Sequence, residues 1–295
     1  MKKYLLLPLL ILVLFGCSNN ETQETYHPKT LKVQFVPSQN AETLEAKAKP
    51  LGKLLSKELN MPVKVSIATS YNTIVEAMRS KQADVAFLPP TAYVMAHDQG
   101  AADVILKSLH ETEVNGKKTV TDYYRGQFVV NRNSKIKNIE DIKNKRIALQ
   151  ESTSTSGYLY PVGLLQDKGI DIEKDLKTVM VKGHDKAITA LINNEVDIAA
   201  TFQDARDYLE KDYPRVKKET RIIAVTKKIP NDTISVQADL DKKLKEDIKG
   251  AFIKLSKDKA SKKIIKEIYS HDGYAPTNDK SYDTIRKYVK AQTKE

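Results

Sequence analysis

The chain has 295 residues, 40% hydrophobic and 29% charged, with a formal charge of +11 at pH 7 and a single cysteine. One cysteine excludes an internal disulfide and a cysteine metal site, so the fold must rest on packing. The positive excess favours anionic partners at long range, but lysines such as Lys182, Lys217, Lys227, Lys242 and Lys262 are scattered without aromatic interleaving. That pattern argues for anionic envelope polymer or lipid headgroups and against nucleic acid.

At the start, Lys2 and Lys3 precede an apolar run from Tyr4 to Phe15 that leads into Leu14-Phe15-Gly16-Cys17. The run is about a dozen residues, short of the roughly 20 that a spanning helix needs. It has the layout of an export signal ending at a lipidated cysteine. Residues 1–16 are therefore expected to be a signal peptide, Cys17 the lipidation site, and the polar stretch 17–30 a flexible tether. Loss of Lys2 and Lys3 lowers the charge to +9. About 265 residues remain, enough for one large or two medium domains.

Leu31 to Val36 alternates as a strand, Thr43 to Leu59 carries apolar residues at helical spacing, and Pro62 to Ile67 reads as a second strand. A helix over 73–79, the buried strand Asp84-Val85-Ala86-Phe87-Leu88 and the turn Pro89-Pro90 follow. The same order returns with Lys145 to Leu149 as strand, a Ser/Thr-rich turn, a helix over 158–167 and a strand over 176–181. This strand-helix alternation predicts α/β lobes with mainly parallel sheets. Tyr71 to Ala86 aligns with His184 to Ala199 at an offset of 113, without a gap over 16 positions, which indicates two lobes of like build. The chain leaves the first lobe near Gly126-Gln127-Phe128 and returns near Ile229-Pro230-Asn231, after which 239–291 is mostly helical in pattern. Residues 31–125 and 230–295 are thus assigned to lobe 1 and 126–229 to lobe 2. Two crossing segments form a hinge, and ligands of such sheets sit at the carboxyl ends of the strands.

The run Ser152-Thr153-Ser154-Thr155-Ser156-Gly157-Tyr158 lies between a strand end and a helix with Pro161 in its first turn. A helix start exposes unpaired N–H groups and a partial positive charge, so it binds phosphate-like groups without Lys or Arg, and hydroxyls add donors. A simpler reading has one hydroxyl capping the helix. His184 opens a helix after Gly183, its repeat partner Tyr71 occupies the same place in the other lobe, and Tyr93 follows the Pro89-Pro90 turn. Each could donate to an oxyanion, or could be a cap or packing residue. Asp204 and Asp232 could line the cleft. Carboxylates there suit a ligand that also carries an ammonium group; otherwise both are surface turn residues.

Ser154-Thr155-Ser156-Gly157-Tyr158 with Pro161, Gly183-His184-Asp185, Val196-Asp197-Ile198-Ala199 and Ala83-Asp84-Val85-Ala86 together resemble the phosphate, phosphite and phosphonate-binding proteins of ABC importers, over nearly the whole mature chain. The resemblance implies a two-lobed, type II-like periplasmic-binding-protein fold. It implies an oxyanion held by Ser154, Thr155, Ser156 and His184 and closed over by Tyr71 and Tyr93. Asp204 and Asp232 map to acids near a ligand amine. The implied partners are a small phosphonate, phosphite or phosphate, a permease and its ATPase, with no cofactor, metal or catalysis. The chain departs from the family at Asp204, where aminoalkylphosphonate binders carry the longer Glu, and at Lys182, where a second Gly is usual.

Two other functions compete. A hydrolase using Ser154 or Ser156 with His184 lacks a Gly-x-Ser-x-Gly elbow, and the five histidines, His27, His97, His110, His184 and His271, show no paired metal spacing. A binder of another small molecule on the same fold remains.

Overall fold

A computed structural model describes residues 25–114 and 117–292. The signal, Cys17 and most of the expected tether lie outside the described residues. The first run comprises β1 (Leu31–Phe35), α1 (Ala41–Leu59), β2 (Val63–Ile67), α2 (Tyr71–Arg79), β3 (Val85–Leu88) and α3 (Pro90–Asp98). Three strands follow, β4 (Ala102–Val114), β5 (Lys117–Thr121) and β6 (Tyr123–Asn131). The second run is β7 (Arg146–Leu149), α4 (Tyr160–Asp167), β8 (Lys177–Met180), α5 (His184–Ile192), β9 (Ile198–Phe202), α6 (Val216–Glu219) and β10 (Thr220–Pro230). The chain closes with β11 (Thr233–Gln237), α7 (Lys242–Lys257), α8 (Lys259–Tyr269), β12 (Gly273–Pro276) and α9 (Asp283–Gln292).

Local chemistry sets these limits. Asn40 caps α1 by accepting the Thr43 N–H, Leu44, Ala48, Leu51 and Leu55 form its buried stripe, and Asn60 ends it in the left-handed region. In β1 every second residue is buried, whereas all four residues of β3 are, as befits a strand covered on both faces.

The strands make two sheets, one ordered β2-β1-β3-β11-β4-β12 with β5 beside β4, the other β8-β7-β9-β6-β10. Only β2-β1-β3 and β8-β7-β9 run parallel; every other pairing among the described strands is antiparallel. The expectation of mainly parallel sheets is thus corrected. The crossing strand β6 leaves the first lobe to lie between β9 and β10, and β11 returns from the second lobe to lie between β3 and β4, so no helical crossover orients them.

The internal repeat reaches hydrogen-bond detail. The helices α2 and α5 begin, and the strands β3 and β9 begin, at the same offset of 113. Between them Lys81 and Asn194 both adopt positive φ, 58° and 59°. Asp84 accepts the Lys32 N–H at 2.7 Å and Asp197 the Arg146 N–H at 2.8 Å, clasping β1 to β3 and β7 to β9.

The larger core, in the first lobe, centres on Phe35 stacked on Phe87 at 4.2 Å, with Phe252 and Tyr269 against them. The second lobe has a smaller core on each face of its sheet, one around Phe128, Leu149 and Leu165, the other around Val129, Ile188 and Val216. Contacts of the first lobe also reach residues before Leu31. Tyr26 pairs with the chain beside Leu240, and its hydroxyl donates to Asp84 at 2.8 Å. A single aromatic anchor leaves no periodicity to detect.

Candidate functional site

A cavity of about 660 Å³ lies at the carboxyl ends of β1, β3, β7 and β9, and residues of both sheets line it. From the second lobe, β7 runs into a tight turn in which the Ser154 N–H donates to the Glu151 carbonyl at 2.8 Å. A single wide helical turn, Thr155–Leu159, leads into α4. Ser154 caps it, accepting the Gly157 N–H at 3.2 Å and donating to Gln150 Oε1 at 3.3 Å. A Cβ on Gly157 would stand 2.6 Å from the Gln150 side chain, so glycine is what lets the turn fold over it. Thr155 Oγ1 accepts the Thr91 N–H of α3 at 2.9 Å, across the cleft. All three hydroxyl residues, Ser154, Thr155 and Ser156, line the cavity, yet Ser154 is also the cap that the simpler reading anticipated.

His184, at the start of α5, is buried beside Phe202. Its Nδ1 faces two donors, Gln150 Nε2 at 2.6 Å and the Phe202 N–H at 3.3 Å. Nδ1 is therefore the acceptor and Nε2 carries the proton. Burial pushes the imidazolium down to a pKa of about 3. The ring is thus a neutral donor at physiological pH and a weak general base, and neither Ser154 bond involves it.

From the first lobe, Tyr71 lines the cavity at the start of α2, its phenol held well above the usual range by burial and by the Asp232 charge. Asp232 precedes β11. Burial raises its carboxyl to a pKa of about 7, opposed by hydrogen bonding from Tyr124, and its Oδ1 has no partner among the described residues. Asp204 lines the opposite wall at φ 66°, its carboxyl raised by burial and by Asp207. The cations at the mouth are already engaged: Lys266 pairs with Asp272 at 2.6 Å and Arg125 donates to the Thr226 carbonyl at 2.6 Å. Neutral donors therefore dominate the deep part of the site.

Seven of the eight expected ligand-site residues come together here. Tyr93 does not, and that expectation is corrected: it is fully buried in α3, stacks edge-on against Tyr282 and donates to Asp279 at 2.8 Å. Tyr124 on the crossing strand β6 lines the cavity instead and interacts with Ser156 and Asp232. Tyr208 and Tyr269 also line the cavity. The available signal for Tyr124 was its position two residues before the expected crossing at Gly126. Among the described residues no cluster of three or more His, Cys, Asp or Glu could hold a metal.

The sequence model of the family described as ABC transporter, phosphonate, periplasmic substrate-binding protein matches residues 33–282. The chain belongs to this family. Its relatives include the phosphate-import protein PhnD of Mycolicibacterium smegmatis, 28% identical over 61% of this chain and 57% of that protein, so the match spans little more than half of that relative. A probable phosphite-binding protein of an ABC transporter from Prochlorococcus marinus is 24% identical over 88% of both chains. The phosphonates-binding periplasmic protein of Escherichia coli is 25% identical over 84% of this chain and 71% of its own. Among solved structures, the Prochlorococcus marinus PhnD1 in complex with methylphosphonate superposes with a TM-score of 0.79 at 22% identity, covering 91% of this chain and all of that one. A phosphonate-transporter binding component from Pseudomonas aeruginosa gives the same TM-score at 21% identity, over 89% and 86%. The two-lobed periplasmic-binding-protein fold is therefore shared. No described helix is long and apolar enough to cross a membrane.

Proposed function

We propose that this chain captures a phosphonate or related phosphorus oxyanion between its lobes and delivers it to the permease and ATPase of an ABC importer, held at the membrane by a lipid on Cys17. The observation that carries the reading is the cavity wall made by Ser154, Thr155 and Ser156 with the neutral His184, whose Nε2–H is its remaining donor. Tyr71 at the start of α2 and Tyr124 on β6 add phenols. These groups bind an oxyanion without a competing cation, and closure about the two crossings buries it; no reaction is needed. The division into 31–125 plus 230–295 and 126–229 is carried forward, supported by the two sheets and the crossings at β6 and β10 to β11. Relatives named for phosphate, phosphite and phosphonates support the ligand class.

A phosphonate replaces one phosphate oxygen with carbon, and leaving a buried donor unpaired costs about 1–3 kcal/mol. Asp204 and Asp232 give the remaining wall acidic character, which favours a substituent bearing an ammonium group.

Calorimetry on the signal-free chain with 2-aminoethylphosphonate, methylphosphonate, phosphite and phosphate tests this. A phosphonate should bind tightest. His184→Gln and Ser156→Ala should each weaken every oxyanion by about 10- to 100-fold, the range for a hydrogen bond to a charged group. Asp204→Ala should weaken the aminoethyl ligand alone. Silence from all four ligands would leave a binder of some other small molecule.

A further inference from the structure

The two lobes meet through the loops that follow the equivalent strands β1 and β7. From the first, the Ser38 carbonyl accepts the His184 N–H of α5 at 2.8 Å, and the Asn40 N–H donates to Asp185 Oδ2 at 3.1 Å. From the second, one carboxylate oxygen of Glu151 accepts two N–H groups in the first turn of α2, Tyr71 at 2.7 Å and Asn72 at 3.2 Å. Thr153 adds a bond to Asn72 Oδ1 at 2.9 Å. Each lobe therefore fills the helix start of the other. The fillings differ: α5 receives a neutral carbonyl, α2 a full negative charge.

Three features make the Glu151 contact more than a surface bond. It is charge-assisted, bifurcated and aligned with the partial positive charge of a helix start. Ser70 already caps α2 by accepting the Thr73 N–H at 3.1 Å, so Glu151 supplies the acceptor for the two N–H groups that the local cap leaves over. The Glu151 carbonyl accepts the Ser154 N–H, so the latch and the hydroxyl turn are one piece of chain.

We propose that Glu151 is a positioning residue that latches the closed form: on closure its carboxylate replaces water on the α2 helix start and brings Tyr71 against the ligand. Resting on the oxyanion reading above, this couples capture to closure directly. A ligand that orders Ser154 to Ser156 orders the turn that begins at Glu151, and so presents the carboxylate to the other lobe. The contact exists only when the lobes are together, so its loss shifts the open-closed balance and leaves each lobe intact.

The test uses the signal-free chain with Cys17→Ser and spin labels at Lys64→Cys and Lys177→Cys, exposed positions in strands of the two sheets. Inter-lobe distances are measured without ligand and with methylphosphonate, in the otherwise native chain and in Glu151→Gln and Glu151→Asp, alongside the melting temperature without ligand. We expect Glu151→Gln to move the population toward longer distances and to weaken methylphosphonate by about 10-fold, with faster release. The shorter Glu151→Asp should behave the same way, and the melting temperature of the ligand-free chain should change little. Unchanged distance distributions in both variants at matched ligand occupancy overturn the latch, as does a drop in melting temperature that accounts for the lost affinity. If the native chain binds no methylphosphonate but Glu151→Gln still lengthens the ligand-free distances, the latch stands and the oxyanion reading falls.

Discussion

The run from β1 to β3 and the run from β7 to β9 share a skeleton but not a chemistry. Both fold a helix start toward the cleft, turn through a left-handed residue and clasp neighbouring strands with an aspartate. Yet α2 begins with Tyr71 behind a Ser70 side-chain cap, whereas α5 begins with His184 behind Gly183 at φ 93°, with no side-chain cap. The sheets also place opposed residues at one equivalent point. Since Thr233 pairs with Leu88 and Gln127 with Thr201, Asp232 stands in the first sheet where Gly126 stands in the second. A Cβ on Gly126 would lie 3.1 Å from the Ser156 carbonyl, so the glycine admits the hydroxyl turn, while its counterpart supplies a carboxyl. A duplicated frame can thus keep its hydrogen bonding and divide the labour of recognition.

The clasps offer the largest way to sharpen that comparison. Asp84 is fully buried and also accepts from Tyr26, whereas Asp197 is partly exposed beside Arg146. Asp84→Ala should cost about 3 kcal/mol and Asp197→Ala about half that in urea unfolding, since the Asp84 carboxyl bonds out of reach of water and the Asp197 carboxyl does not. Equal losses would mean that exposure does not separate the two.

The pair Asp232 and Gly126 makes a pH prediction. The Asp232 carboxyl has its folded pKa raised from 3.8 to about 7, so folding takes up a proton between those values. Stability without ligand is unaffected by this group below pH 4, falls as pH rises toward 7, and carries the full penalty above it. Asp232→Asn should therefore stabilise the chain at pH 8 by on the order of 2 kcal/mol relative to its effect at pH 4, read from melting curves. A pH-independent effect would place the ionised carboxylate in a better-solvated setting.

The helix starts give the smallest effects. Gly183→Ala forces a side chain at φ 93° and a Cβ 2.5 Å from Asp185 Oδ1, which should cost about 1–2 kcal/mol. Ser70→Ala removes a cap and should cost about 1 kcal/mol. The reverse order in thermal melts would mean that the two starts are built to equal tolerance.

What could be read from the sequence was what has a period or a local rule. Strands with alternating or fully apolar faces, the helix after Asn40 and the repeat between Tyr71 and His184 all announce themselves within a few residues. Antiparallel β4 and β12 do not, because their partners lie far along the chain and a pairing direction has no local signature. The site divides in the same way. Ser154 to Ser156 and His184 stand beside a turn or a helix start, whereas Tyr93 and Tyr124 are alike as sequence and are separated only by which side of a strand or helix meets the cleft. Glu151 was invisible because its partner is the other lobe.

Tyr26 has a mechanical consequence. A chain spans at most about 3.5 Å per residue, so if Cys17 carries the lipid proposed above, at most about 30 Å of chain separates it from Tyr26, against about 50 Å to Leu31. Docking Tyr26 beside Leu240 and Asp84 would then attach the anchor to the first lobe, with roughly a third less free length.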